Sequence, residues 1–269
     1  MNAITQQAGV AVEIGGMPIL LRSEDESFRK MLMDRYAGFV NPSHATRFEF
    51  QINLEDPPPG LDPEDDIRVA MTGGRWFLQR ADFRAEWNPQ TGHGRISQTA
   101  NPYSIDSVLR VVHSLILAKQ GGFLVHAASA IRNGKSFLFA GVSGSGKTTI
   151  SRLAPSDATV LTDELSYVRE QQGCYCACGT PFAGELAKVG ANASAPLKAL
   201  FLLAKGPENR IEDVSQPDAV RQLLRNILFF AEDRELVECV FQSACEFVKQ
   251  VPVRRLTFVP DQRVWEMIA

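Results

Sequence analysis

Residues 141–149 read GVSGSGKTT. Glycines at 141, 144 and 146 followed by Lys147 and Thr148 fit the pattern G-x-x-x-x-G-K-[ST], in which the chain curls so that successive backbone N–H groups point at one anion. Glycine permits the curl because it lacks a Cβ. The stretch SFLFA before the motif reads as a strand. The residues after it open a short helix, from Thr148 to about Leu153, whose N-terminus adds partial positive charge. In this chemistry the Lys147 ammonium reaches the β- and γ-phosphates of a nucleotide, and the Thr148 hydroxyl offers an oxygen to Mg²⁺. Gly141, Ser143, Gly144, Ser145, Gly146, Lys147, Thr148 and Thr149 are the expected nucleotide-binding residues, with ATP and Mg²⁺ as the ligands.

A carboxylate at a strand end is the next requirement, to hold Mg²⁺ or to act as a base. ATVLTDELSYVR, read as one strand, supplies the neighbours Asp163 and Glu164. The alternative is that both acids open a solvated loop. His126 sits in the apolar run FLVHAASAI, where a histidine is more often a packed core side chain than a catalyst, and nucleotide binding alone needs no imidazole there. His113 lies on a helix and His44 and His93 in loops; these three are read as structural. Cys174, Cys176 and Cys178 alternate within GCYCACG, which places them on one face of a strand. Without C-x-x-C spacing or a nearby histidine they are read as small buried side chains rather than metal ligands. Arg210, in the loop GPENRIED, is weighed as a phosphate clamp against a solvated side chain. Arg221 and Arg225 lie one helical turn apart and read as a solvated face.

The elements that must position these residues follow from hydrophobic periodicity. VAVEIGGMPILLRS reads as two strands about a Gly-Gly turn, ESFRKMLMDRYAGF as a helix with Phe28, Met31, Leu32 and Tyr36 on one side, and TRFEFQINL as a half-buried strand. The breaker run EDPPPGLDPEDD precedes three or four strands, with turns at Thr72-Gly73-Gly74 and Asn88-Pro89. From Tyr103 the texture changes: SIDSVLRVVHSLILAKQ is one helical pattern that stops at Gly121-Gly122. FLVHAASAIRNGKSFLFAG is a hairpin about Asn133-Gly134. Further along, YCACG, ALFLLAKG and VRRLTFVPD read as strands. PDAVRQLLRNILFF and ELVECVFQSACEFVKQ read as helices, the second with an apolar stripe at Val237, Val240, Phe241, Ala244 and Val248. The expected fold is α/β, with a small strand-rich α+β module over residues 1–100 and a nucleotide-binding domain over 101–269; the alternative is one shared core.

With 28 Lys plus Arg against 31 Asp plus Glu, the formal charge of −3 gives no general reason to expect nucleic acid. The opening MNAITQQAGVAVEI lacks a basic n-region and a long apolar h-region, and no apolar run approaches about 18 residues. The expectation is a cytoplasmic protein without a membrane partner. The odd cysteine count, five, suits a reducing compartment.

The order of His126, hairpin turn, GVSGSGKT and Asp163-Glu164 resembles the catalytic domain of the bacterial HPr kinase/phosphorylase family, whose P-loop kinase fold is also similar to ATP-dependent phosphoenolpyruvate carboxykinase. The match covers about Leu124 to Leu165 and, more loosely, the rest of the C-terminal part. The resemblance implies that His126 and the acidic pair act together where the phosphoryl group is transferred, with Asp163 as base toward a serine hydroxyl and Glu164 toward the metal. The family has two aspartates where this chain has Asp-Glu. Its signature loop is not recognisable; GTPFAGELAK stands in its place, and Glu185 there is a candidate metal ligand. Some relatives of this kind are associated with modified-peptide biosynthesis. The function so implied is an ATP-dependent kinase acting on a serine or threonine hydroxyl of a protein or peptide. A small-molecule kinase or phosphohydrolase, and a non-catalytic nucleotide-binding regulatory or scaffold protein, are the alternatives. The N-terminal module would select the acceptor or pack against another subunit in a homo-oligomer.

Overall fold

The computed structural model describes residues 9–41, 46–57 and 66–268. His44, residues 1–8 of the opening segment and the middle of the EDPPPGLDPEDD run lie outside the described residues. The protein is a mixed α/β molecule with two sheets. It divides into two compact units: Met1–Val112 with Phe230–Asp233, and His113–Phe229 with Arg234–Ala269.

In the first unit β1 (Gly9–Ile14) and β2 (Met17–Ser23) form a hairpin, followed by α1 (Glu26–Arg35), β3 (Phe48–Leu54), β4 (Arg68–Thr72), β5 (Arg75–Arg80), β6 (Phe83–Trp87) and β7 (His93–Gln98). Their order in the sheet is β1-β2-β3-β7-β6-β5-β4, parallel at β2/β3 and β3/β7 and antiparallel elsewhere. Asp25 caps α1 by accepting the Phe28 N–H at 2.7 Å, and Phe28 and Leu32 face inward. Trp76 and Trp87 are cross-strand partners, both buried. His93 begins β7 rather than lying in a loop. The helix α2 (Pro102–Lys119) carries the chain from the first unit into the second, and Gly121, at φ +74°, follows its end.

The second unit opens with β8 (Phe123–Arg132) and β9 (Lys135–Ala140), joined through Asn133 and Gly134 at φ +52° and +69°, the pair of left-handed residues that a two-residue hairpin turn requires. Then come α3 (Lys147–Arg152), β10 (Thr159–Thr162), β11 (Leu165–Gln171), β12 (Cys174–Cys178), β13 (Ser194–Lys205), β14 (Arg210–Asp213), α4 (Gln216–Leu224), β15 (Ile227–Leu228), α5 (Arg234–Gln250), β16 (Val253–Phe258) and α6 (Val264–Ile268). β13 lies between β9 and β16 and runs parallel to both. Alternation along these strands gives the sheet two apolar faces. Val125, Ala127, Leu138, Ala140, Leu200 and Leu202 pack with Leu223 of α4 and Ala244 and Phe247 of α5. Ala128, Ala130, Phe137, Phe139, Phe201 and Leu203 pack with Ile150 of α3 and Trp265 of α6. The Trp265 ring meets Phe139 edge-on at 5.4 Å, and its indole N–H donates to the Ile150 carbonyl at 3.1 Å.

Several expectations are corrected. ATVLTDELSYVR is two strands, β10 and β11, interrupted at Asp163-Glu164. The helix read across PDAVRQLLRNILFF ends at Leu224, where the Asn226 side chain turns back to donate to the Gln222 carbonyl at 2.7 Å, and Ile227-Leu228 then pairs with β8. On α5 the buried stripe is Leu236, Val240, Ser243, Ala244 and Phe247, while Val237 and Phe241 are 47% and 51% exposed. Arg210 starts β14 instead of standing in a loop, and α6 was not foreseen. Cys176 and Cys178 are buried, but Cys174, at the strand end, is exposed.

Candidate functional site

The glycine loop Gly141–Gly146 joins β9 to α3. Gly146 holds φ at +111°, and a Cβ there would lie 2.7 Å from the Phe258 ring, so no other residue fits. Lys147 Nζ donates back to the Gly141 carbonyl at 2.8 Å and the Val142 carbonyl at 3.3 Å. Burial pushes the Lys147 ammonium below its ordinary range, and the charges of Glu164 and Glu185 oppose that shift. The Ser145 Oγ is buried without a hydrogen-bond partner among the described residues. That hydroxyl packs against Gly141, where a Cβ would lie 2.6 Å from it, and it is the Lys147 ammonium, which lines the cleft with the loop glycines, that suits an anionic ligand.

His126 occupies the point at which β8 changes neighbours. On one edge β9 pairs with β8 as far as Ala127 and then departs into the glycine loop, while β15 begins opposite Val125. Between them the His126 N–H donates to the Asn226 carbonyl at 2.7 Å. On the other edge β10 pairs as far as Ser129 and β11 resumes at His126 itself, leaving Asp163 and Glu164 as the residues in the gap. Alternation puts His126 on the face of β8 that Ala128 and Ala130 share, the face packed against α3.

The two acids have different surroundings. Asp163 is 4% exposed; its Oδ1 accepts the Gly184 N–H at 3.0 Å and its Oδ2 the Leu186 N–H at 2.9 Å. Glu164 is half-buried, close enough to Lys147 for its charge to act on the ammonium. Glu185, between the two N–H groups held by Asp163, accepts the Thr148 hydroxyl on Oε2 at 3.0 Å. A hydroxyl and a carboxylate are the hard oxygen donors that Mg²⁺ takes together with phosphate oxygens and water. Among the described residues no cluster of three or more His, Cys, Asp or Glu is arranged to hold a metal unaided. Burial pushes the Cys178 thiol up to about 11, away from the thiolate a soft metal would need.

His126, Gly141, Ser143, Gly144, Gly146, Lys147, Thr148, Thr149, Asp163, Glu164 and Glu185 all line one cleft of about 900 Å³ within the second unit. Ser145 is the expected residue that does not line it. Arg210 stays away, paired with Glu212 at 3.1 Å, and Arg221 pairs with Asp218 at 2.8 Å. Sequence reasoning missed Lys205 and Arg255, and it read Arg225 as part of a solvated face; all three line the cleft. Lys205 and Arg255 sit in strands whose ends converge on the loop, which no local pattern announces.

A nine-stranded mixed sheet with helices on both faces and a glycine loop between β9 and α3 thus presents one cleft lined by a lysine, a hydroxyl, acids and a histidine. Residues 95–269 match the family model described as SynChlorMet cassette protein ScmC, and the chain belongs to that family. No curated protein matches it. Among solved structures it is similar to the Hpr(Ser) kinase/phosphatase from Coxiella burnetii, at 12% identity and a TM-score of 0.30, with 54% of this chain and 85% of that chain covered. No helix among the described residues is long and apolar enough to cross a membrane.

Proposed function

We propose that the chain is an ATP-dependent phosphotransferase whose acceptor is a serine or threonine hydroxyl of a protein or peptide. The observation that carries the reading is the pairing of Thr148 with Glu185 at 3.0 Å in the cleft that also contains Lys147, Glu164 and His126. The class of acceptor rests on the order of motifs in the sequence. Backbone N–H groups of the glycine loop other than that of Ser145, which donates to the Val142 carbonyl at 3.0 Å, and the Lys147 ammonium would hold the nucleotide phosphates, and Thr148 with Glu185 would hold Mg²⁺, which supplies charge neutralisation at the phosphates. Lys147 exchanges its two main-chain carbonyls for phosphate oxygens. The proton of the acceptor hydroxyl passes to a carboxylate in the cleft. Asp163 was the expected base, but both of its oxygens already accept backbone N–H groups, and the role is assigned to Glu164. His126, fixed at the break between β9 and β15, orients the hydroxyl. Among the described residues of the stretch 1 to about 100 there is no comparable set of groups, and that stretch is assigned to acceptor selection or self-association.

Lys147→Ala is expected to remove most ATP affinity while the circular dichroism spectrum is unchanged; wild-type affinity by calorimetry in that variant would refute nucleotide binding at this loop. Incubation of the wild type with labelled ATP, Mg²⁺ and a lysate of the source organism should transfer label to a protein or peptide, on an acid-stable serine or threonine ester. Label found only in a small molecule, or none at all, would overturn the acceptor assignment.

A further inference from the structure

Asp163 and Glu164 are adjacent, yet the chain uses them differently. The Asp163 carboxylate spans the N–H groups of Gly184 and Leu186, the residues on either side of Glu185. A carboxylate that bridges alternate amides fixes the direction of the residue between them, and here that residue reaches the Thr148 hydroxyl. The turn is tight: the Ala187 N–H returns to the Gly184 carbonyl at 3.0 Å, with Ala187 at φ +50°. It also lies close against the acids, since a Cβ at Gly184 would come within 2.9 Å of Asp163 Oδ2 and of Glu164 Cβ.

We propose that Asp163 is a positioning residue, which clamps the Gly184–Leu186 turn and thereby sets Glu185 against Thr148 as the divalent-cation site of the cleft. The metal part of the proposal rests on the nucleotide-binding reading above; the clamp itself does not. Asp163 then controls the cation without touching it, as outer partners of metal ligands do.

The test measures Mn²⁺ binding by electron paramagnetic resonance in the presence of a non-hydrolysable ATP analogue, and the analogue's affinity in EDTA by calorimetry. Asp163→Asn is expected to weaken Mn²⁺ by about 10- to 100-fold, the usual effect of removing such a partner, and to leave the metal-free affinity within about threefold. Glu185→Gln should do the same, and the double variant should bind Mn²⁺ no more weakly than Glu185→Gln alone, since both changes act through one turn. Gly184→Ala strains the clamp from the other side and carries the test if Asp163→Asn does not fold. Wild-type Mn²⁺ affinity in Asp163→Asn, or additive losses in the double variant, would overturn the proposal. Should the wild type bind no nucleotide, the reading as a phosphotransferase fails and the clamp is judged by hydrogen exchange at the Gly184 and Leu186 amides of the full chain. Faster exchange in Asp163→Asn but not in Glu164→Gln supports it; equal rates refute it.

Discussion

Glu164 carries the proton in the proposed reaction, whereas Lys147 and Thr148 carry binding, and the two kinds of work can be separated by substitution. Glu164→Gln is expected to keep nucleotide affinity and to slow transfer by about 10²- to 10⁴-fold, the range for loss of a general base. Single-turnover transfer with labelled ATP measures this, and transfer at the wild-type rate would return the role to another group. The glycine motif was legible in the sequence because phosphate geometry fixes its spacing, and His126 and the acids because of their order around it. The split between Asp163 and Glu164 was not legible. It depends on two amide donors from a turn some twenty residues away, Gly184 and Leu186, which GTPFAGELAK does not advertise.

At the scale of the element, α5 shows how periodicity found the helix and set its stripe to one side of the buried one. Val240 and Ala244 of the expected stripe are buried and Val248 packs against the same core, but Val237 and Phe241 are exposed while Leu236 and Phe247 face inward, although both sets satisfy helical spacing. Packing decides between them: the Phe247 ring meets Phe123 edge-on at 5.4 Å and Tyr175 at 5.1 Å. Phe247→Ala should therefore cost about 3–5 kcal/mol, and Phe241→Ala less than about 0.5 kcal/mol. Urea denaturation of the two variants checks this, and equal midpoints would restore the other face. The gap in ATVLTDELSYVR was invisible for a related reason. The ladder with β8 resumes in register beyond it, Thr162 opposite Ser129 and Leu165 opposite His126, so the apolar residues on both sides read as one strand.

The whole molecule responds to acid through a residue remote from the proposed chemistry. His113 is fully buried, its ring edge-on to Tyr167 at 5.6 Å and neither nitrogen hydrogen-bonded among the described residues. Burial lowers its pKa from 6.5 to about 3. The unfolded chain therefore binds a proton that the folded chain refuses, so this contribution is intact above about 6.5 and is lost as pH falls towards 3, at up to about 1.4 kcal/mol per pH unit. His113→Leu should flatten the acid limb of a plot of unfolding free energy against pH; an unchanged slope would show that other groups set it. A long helix reads differently from short amphipathic strands, which is what put the expected break near residue 100. The two units divide instead at Val112/His113, inside α2, where a continuous helix gives no signal of the change in its neighbours. Residues 101–269, which keep α2 whole, should bind ATP–Mg²⁺ but fail to label the acceptor; full transfer by that fragment would refute a selecting role for the N-terminal unit.

Trp265 gives the second unit an optical signal of its own. The other two tryptophans, Trp76 and Trp87, belong to β5 and β6 of the first unit, while the Trp265 indole is bonded to the backbone of α3, the helix that begins at Lys147. With Trp76 and Trp87 replaced by phenylalanine, emission from the remaining indole would come from directly beneath the helix that follows the glycine loop. Such a protein would report on its own cleft without any attached dye, and the two native tryptophans would serve the first unit in the same way.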